Sequence, residues 1–322
     1  MKSANMFGLT FLSATSKTTT HRVVPFLIKR LLEGVAGYAA GGTSVSVYIS
    51  GIDKVSFAAD TKTTLSATLS SARFGGAGFA NSSVAGYHAG GFDSVYISAI
   101  IKVAFPADTL TTLSATLTTG VTDAAGFANS GVAGYVAGGY ININRIDKVS
   151  FAADTKTTLS ATLSSQLYSV AGFANSGVAG YAAGGSSPLT SGIDKVSFPA
   201  DTKTTLSATL TTARAACTGF ANSGVAGYVA GGDAPALTSG IDKVTFPADT
   251  KTTLSATLSS ARNSSFGFAN SGVAGYDAGG QASPETNVID KILFAADTRT
   301  TLSATLTSIR QSGAGFADSG SL

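Results

Sequence analysis

One block of sequence is written six times along this chain, and that repetition constrains the fold more than any other property of its 322 residues. The motif Gly-Tyr-x-Ala-Gly-Gly places tyrosines at Tyr38, Tyr87, Tyr135, Tyr181, Tyr228 and Tyr276, spaced 49, 48, 46, 47 and 48 residues apart. A second motif, in most copies Ile-Asp-Lys-Val-Ser-Phe, ends at Phe57, Phe105, Phe151, Phe198, Phe246 and Phe294. Thr-Thr-Leu-Ser-Ala-Thr-Leu recurs unchanged, ending at Leu69, Leu117, Leu163, Leu210, Leu258 and Leu306. Gly-Phe-Ala-Asn/Asp-Ser carries Phe79, Phe127, Phe173, Phe220, Phe268 and Phe316.

Each motif has the period of a strand. Leu65, Ala67 and Leu69 alternate with Thr64, Ser66 and Thr68, and Val55 shares a face with Phe57 in the same way. No helical period competes within the repeats. In the order Phe motif (A), Tyr motif (B), Ile-Asp-Lys motif (C) and Thr-Leu motif (D), the strands form one antiparallel sheet. Asn-Ser-Gly turns A into B, and Ala/Pro-Ala-Asp-Thr turns C into D, its Asp placed to hydrogen-bond its own turn. Six four-stranded sheets arranged radially give an all-β, six-bladed propeller, which protects strand edges. A solenoid has the same period, but the ends of the repeat series favour a ring. The series starts at a B strand near Gly34 and stops just after an A strand at Asp318, with Arg30 at the first copy's Phe position. Pairing Ala314–Asp318 with the first B strand repairs both ends at once, whereas a solenoid would leave two frayed edges.

The double glycine after an aromatic strand, the strand pair that follows it, and an Arg ahead of the next A strand resemble kelch repeats. The Arg stands at Arg73, Arg214, Arg262 and Arg310, while Val121 and Leu167 replace it in two copies. The fourth-strand Trp of kelch repeats is replaced by leucines such as Leu65 and Leu113, and the chain contains no Trp. The resemblance covers residues 34–318 and implies a kelch-type propeller closed by a C-terminal strand. The copies are also similar to kelch-like repeat proteins of cyanobacteria and of tailed phages.

The copies differ in one place. From each C-strand Phe to the next B-strand Tyr the distance is always 30 residues, while from Tyr to the following Phe it runs 19, 18, 16, 17, 18 and 18. Length variation therefore falls in the B–C loop. The D–A segment keeps its length but varies in content. In an antiparallel A-B-C-D sheet these two connections emerge on one side, and variable loops on one side of a repeat array form its usual binding surface. Scattered aromatics sit there: Tyr48, Phe74, Phe92, Tyr96, Tyr140, Tyr168 and Phe266. They read as partner-binding residues, or alternatively as caps that pack between loops. At the variable B-strand position His88 and Asp277 are candidates to face a central channel, with a surface or hydrogen-bonded role as the alternative. The Lys62, Lys156, Lys203, Lys251 and Arg299 series, close to Asp60 and its equivalents, reads as solvated charge pairs.

Composition points away from catalysis. Charged residues make up 12%, there are two histidines, and Cys217 is the sole cysteine, which excludes a Cys-based zinc site or an internal disulfide. No nucleophile elbow, phosphate loop or calcium repeat is present, so no catalytic residue, metal or cofactor is expected. The net charge of +3 hides an asymmetry: residues 1–33 carry five basic residues against Glu33, which is +4, and the remainder sums to −1. A neutral body has no footprint for nucleic acid, and no apolar run is long enough to span a membrane. The expected organisation is a basic attachment segment, residues 1–33, followed by a propeller, residues 34–322. The expected function is a non-enzymatic structural and binding propeller of a phage tail or virion, oligomeric within an assembly that its first 33 residues contact. Its variable loops would meet a host-surface glycan or protein. The alternative is a free bacterial kelch-like module, extracellular or at the cell surface, that binds a protein or glycan.

Overall fold

The computed structural model describes residues 36–318, Asn142 excepted. The attachment segment assigned to residues 1–33 lies outside the described residues. Within them, every regular element is a strand. The A strands are Ala314–Ala317, Ala77–Asn81, Ala125–Asn129, Ala171–Asn175, Thr218–Asn222 and Phe266–Asn270, for blades 1 to 6. The B strands are Ala36–Ala40, Ala85–Ala89, Ala133–Ala137, Ala179–Ala183, Ala226–Ala230 and Ala274–Ala278. The C strands are Ile52–Ser56, Ala99–Ala104, Arg145–Ser150, Ile193–Ser197, Ile241–Thr245 and Val288–Leu293. The D strands are Thr61–Thr64, Thr109–Thr116, Lys156–Thr162, Thr202–Thr205, Thr250–Thr253 and Thr298–Thr305. All six sheets have the order A-B-C-D and are antiparallel. The chain is a six-bladed β-propeller.

Blade 1 takes its A strand from the other end of the chain. Ala314–Ala317 pairs with Ala36–Ala40 in the register Tyr38↔Phe316, the register that Phe79↔Tyr87 has inside blade 2. The expected closure is therefore the observed one, and the seam between the ends continues the pattern of the other blades.

Glycine sets how closely the blades approach. A Cβ built on Gly126 would collide with the carbonyl oxygen of Gly78, one on Gly172 with Gly126, one on Gly219 with Gly172, one on Gly267 with Gly219, one on Gly315 with Gly267, and one on Gly78 with Gly315. Six A strands thus meet backbone to backbone around the axis, a separation only Gly permits. One strand out, the Phe of each A strand lies on the B-strand Gly of the next blade: Phe79 on Gly134, Phe127 on Gly180, Phe316 on Gly86. Each B-strand Tyr then stacks between its own Phe and the C-strand Phe of the next blade, as Tyr135 does with Phe127 at 5.4 Å and Phe198 at 5.1 Å. Apart from the half-buried Phe105, these rings are fully or nearly fully buried, and burying each aromatic contributes a few kcal/mol. The core is six inter-blade seams.

Outward from the seams the D strands keep the expected alternation, with Leu69 buried and Thr64, Ser66 and Thr68 exposed. In blades 1, 4 and 5 regular pairing stops at Thr64, Thr205 and Thr253, before the Leu-Ser-Ala-Thr-Leu run. In the longer D strands of blades 2, 3 and 6 the C–D register shifts, for example between Arg145 and Asp147.

Candidate functional site

The two ends of the axis are built differently. At the end where the A–B and C–D turns emerge, side chains tie each blade to its neighbour. Asn81 Oδ1 accepts the Gly131 N–H at 2.8 Å, Asn129 accepts that of Gly177 at 3.0 Å, and Asn175 that of Gly224 at 2.9 Å. In parallel, the N–H of Ser82 donates to Ser130 Oγ, that of Ser130 to Ser176 and that of Ser176 to Ser223. The Asn-Ser-Gly motif is thus an inter-blade fastening as well as a turn.

The C–D turn Asp belongs to the same fastening, which corrects two sequence expectations. Its carboxylate reaches out of its own turn to the preceding blade. Asp201 accepts Tyr135 Oη at 3.0 Å and Lys148 Nζ at 2.6 Å, and Asp108 accepts Tyr38 at 2.8 Å and Lys54 at 2.7 Å. The clamp closes the ring where Tyr276 and Lys291 meet Asp60. Tyr and Lys face each other across the B–C pair, so one Asp satisfies both. Burial first, then the Asp, raises every one of these phenols above its ordinary value, leaving it a neutral donor.

The C-strand Asp is also structural. Asp53 accepts the Thr64 hydroxyl and both the N–H and hydroxyl of Thr307 at 2.7 Å, and Arg310 lies 3.1 Å away. Burial works to raise its carboxyl, but Arg310 and these hydrogen bonds hold it below its ordinary value. Asp147, Asp242 and Asp290 behave alike. The Lys62 series joins these networks: Lys62 Nζ meets Thr307 Oγ1 at 2.8 Å and Asp53 at 3.9 Å. The pairs are half-buried links between blades, not free surface charges.

His88 and Asp277 do not line the axis. Both are fully buried, because only A strands reach the axis and these residues sit on B strands facing the seam to the preceding blade. The His88 ring occupies space that a side chain on Gly76 would fill, and neither of its nitrogens has a hydrogen-bond partner. Burial, reinforced by Arg73, pushes it down to about 3, so it stays neutral. Opposite it, Ile101 stands where other blades carry the buried Asp. Asp277 accepts Arg262 Nε at 2.8 Å and Ser265 Oγ at 2.9 Å, and Arg262 also reaches Asp290 at 3.0 Å. This is a closed ion triad. Phe266 is likewise no loop residue. It opens the blade 6 A strand at zero exposure, in space left by Gly313, with the Arg310 guanidinium 5.2 Å above its ring.

The remaining six aromatics come together. On the end where B–C and D–A connections emerge, Tyr48 lies 5.3 Å from Phe74, Phe74 5.6 Å from Phe92, and Phe92 5.1 Å from Tyr96. Tyr96 lies 5.8 Å from Tyr140, and Tyr140 5.2 Å from Tyr168. One unbroken arc of rings crosses the loops of blades 1 to 4. Tyr48, Tyr96 and Tyr140 remain 37%, 38% and 44% exposed, and Val45, Val47, Val95 and Ile141 stand out from the same loops. Blade 1 presents its share on a small hairpin, Thr43–Ser44 with Val47–Tyr48. The corresponding loop of blade 5, Asp233–Ala234 with Ala236–Leu237, carries no aromatic. The rings pack on one another between the loops, while Tyr48, Tyr96 and Tyr140 keep an open face.

Sequence reasoning missed a third feature of this end. Gly75, Asp123, Ser169, Ala216, Ser264 and Ser312 occupy one loop position in six copies, all in the left-handed region at φ 53–71°. Each donates its N–H to the carbonyl of the previous one, from Gly75 to Ser312 at 2.5 Å and around through Asp123 to Gly75 at 2.7 Å and Ser312 to Ser264 at 2.7 Å. Six backbone hydrogen bonds close a circle at the mouth of the axis. The available signal was the succession of Gly, Asp and Ser at matched positions, residue types that tolerate or favour this conformation.

No protein-family model matches the chain, and no curated protein matches it.

Proposed function

We propose that this propeller is a non-enzymatic binding and structural module whose B–C/D–A face docks a protein partner through the aromatic arc. The contiguity of six rings across four blades carries this reading. An exposed apolar arc bordered by Val45, Val47, Val95 and Ile141 has the composition of a protein interface core, where Tyr and Phe give large contact area at small entropic cost. The opposite end supports the assignment by contrast, because its repeated polar side chains are engaged in joining blades. We further propose a kelch-type propeller acting as a phage tail or virion component that presents this face to a host-surface protein. The sequence resemblance, the low charge content and the single cysteine support that setting.

Replacing Tyr48, Tyr96 and Tyr140 together by Ala is expected to leave a folded ring that no longer binds host cells. Unchanged binding by the folded triple variant would overturn the assignment of the arc, and competition by free host glycans would replace the protein partner with a sugar. Mass spectrometry of purified virions tests the setting: peptides of this chain are expected there. Their absence, with the protein found free in bacterial culture, would favour the bacterial module.

A further inference from the structure

The mouth of the axis holds a cavity that none of the arc aromatics lines. The left-handed circle and the residue after each member line this cavity of about 100 Å³. That is roughly three water volumes, room for a small polar head and little more. The backbone N–H groups of the circle are spent on one another, so recognition inside it falls to side chains. Among the lining residues Ser169, Ser264 and Ser312 carry hydroxyls and Asp123 a carboxylate. Asp123 forms no ion pair among the described residues, whereas Asp53, Asp147, Asp242 and Asp290 all do. The space beside Gly75 is taken by the Thr122 hydroxyl, with Asp123 Oδ1 next to it, 3.0 Å from where a Cβ on Gly75 would lie. Burial pushes the Asp123 carboxyl up to about 6, with the Thr122 hydroxyl working the other way. An acid held in a hydroxyl-lined cup without a counter-charge is matched by a small cation that donates hydrogen bonds.

We propose that this cup binds a protonated primary amine on an alkyl stem, with Asp123 as counter-ion and the serine hydroxyls as further acceptors. An ammonium head has three donors, which suits one carboxylate flanked by hydroxyls. A divalent cation wants about six oxygen ligands, several of them charged, and no group of three metal-ligating side chains occurs among the described residues. The amine belongs to a lysine side chain of a protein or to a free alkylamine.

Calorimetric titration of the full chain at pH 7.5 tests this, using butylamine, the N-acetylated and C-amidated peptide Gly-Lys-Gly and its equally blocked norleucine counterpart, which carries no ammonium. Saturable binding of both amines and none of the norleucine peptide is expected. The isosteric Asp123→Asn should weaken amine binding by about tenfold or more. Binding should also fade as pH falls through about 6 and the carboxyl is protonated. Tighter binding of the peptide would mark a protein-borne lysine, and tighter binding of butylamine a free amine. Tyr48→Ala, at the far end of the arc, should bind amines normally, so failure of the arc and failure of the cup are separable. The proposal is overturned if Asp123→Asn binds as tightly as the parent chain, if neither amine saturates, or if Tyr48→Ala abolishes binding.

Discussion

The two ends of the axis come from the same six repeats, yet one is constant in sequence and the other is not. At the constant end the blades are joined by side chains: Asn81 to Gly131, Ser82 to Ser130, Tyr135 and Lys148 to Asp201. Each of those identities must be kept for the ring to hold. At the variable end the blades are joined by main chain, through the circle that runs from Gly75 to Ser312. A backbone hydrogen bond does not depend on which side chain its residue carries, so Gly, Asp, Ser and Ala serve at one position. Variation collects where the backbone provides the joint, and that freedom lets an aromatic arc and an acidic cup arise on one face alone.

The comparison can be broken by matched substitutions. The largest effect is expected for Tyr135→Ala, which empties a fully buried stack and removes a donor from Asp201. It should cost about 3–5 kcal/mol in urea unfolding, while Tyr140→Ala, five residues on and exposed, should stay within about 0.5 kcal/mol. Equal costs would sink the distinction.

A pH series comes next. Asp53, Asp147, Asp242 and Asp290 sit below their ordinary range when folded. Their contribution is present above the unfolded carboxylate value and is lost as pH falls through the depressed one. Asp318 and Asp123, raised to about 7 and about 6, act oppositely, costing stability as pH rises through those values. Thermal unfolding should therefore show a maximum near about pH 5 with a steep acid limb below about pH 4. A melting temperature still climbing from pH 6 to pH 8 would contradict this balance.

A smaller contrast sharpens the lesson directly. Asn129→Ala removes the acceptor of the Gly177 N–H and should cost about 1–2 kcal/mol, whereas Ser169→Ala in the backbone circle should be neutral within about 0.5 kcal/mol. The smallest effect is a gain. Asp123→Asn removes a half-buried charge without an ion-pair partner among the described residues and should add about 1 kcal/mol at pH 7.5, a difference that vanishes below about pH 4.

The fold was legible because the repeat period, the strand alternation and the displaced A strand each had a direct signature. The aromatic arc was legible as a set of residues, though not as contiguous rings. What sequence could not reach was partnership across seams. An Asp in a C–D turn looks like a turn former, and nothing nearby along the chain announces that its carboxylate serves a Tyr and a Lys that, for Asp108, lie 70 and 54 residues away. His88 and Asp277 failed for a related reason: alternation assigns a residue to a face of its strand, but depth from the axis depends on which strand is innermost. Phe266 was misplaced by a boundary, since the blade 6 A strand begins one motif position earlier than its glycine suggested.

The clasp in blade 1 has a mechanical consequence. Ala36–Ala40 and Ala314–Ala317 run antiparallel, with Gly37 opposite Ala317 and the Asp318 carboxylate on the Ala36 N–H at 2.7 Å. The two strands thus leave the ring from the same end of their pairing. A pull on both together loads that pairing in peel, so its bonds open one after another starting from Asp318, instead of resisting in shear as a group. Anchored through one end only, the disc carries the same load across every seam and keeps its clasp shut.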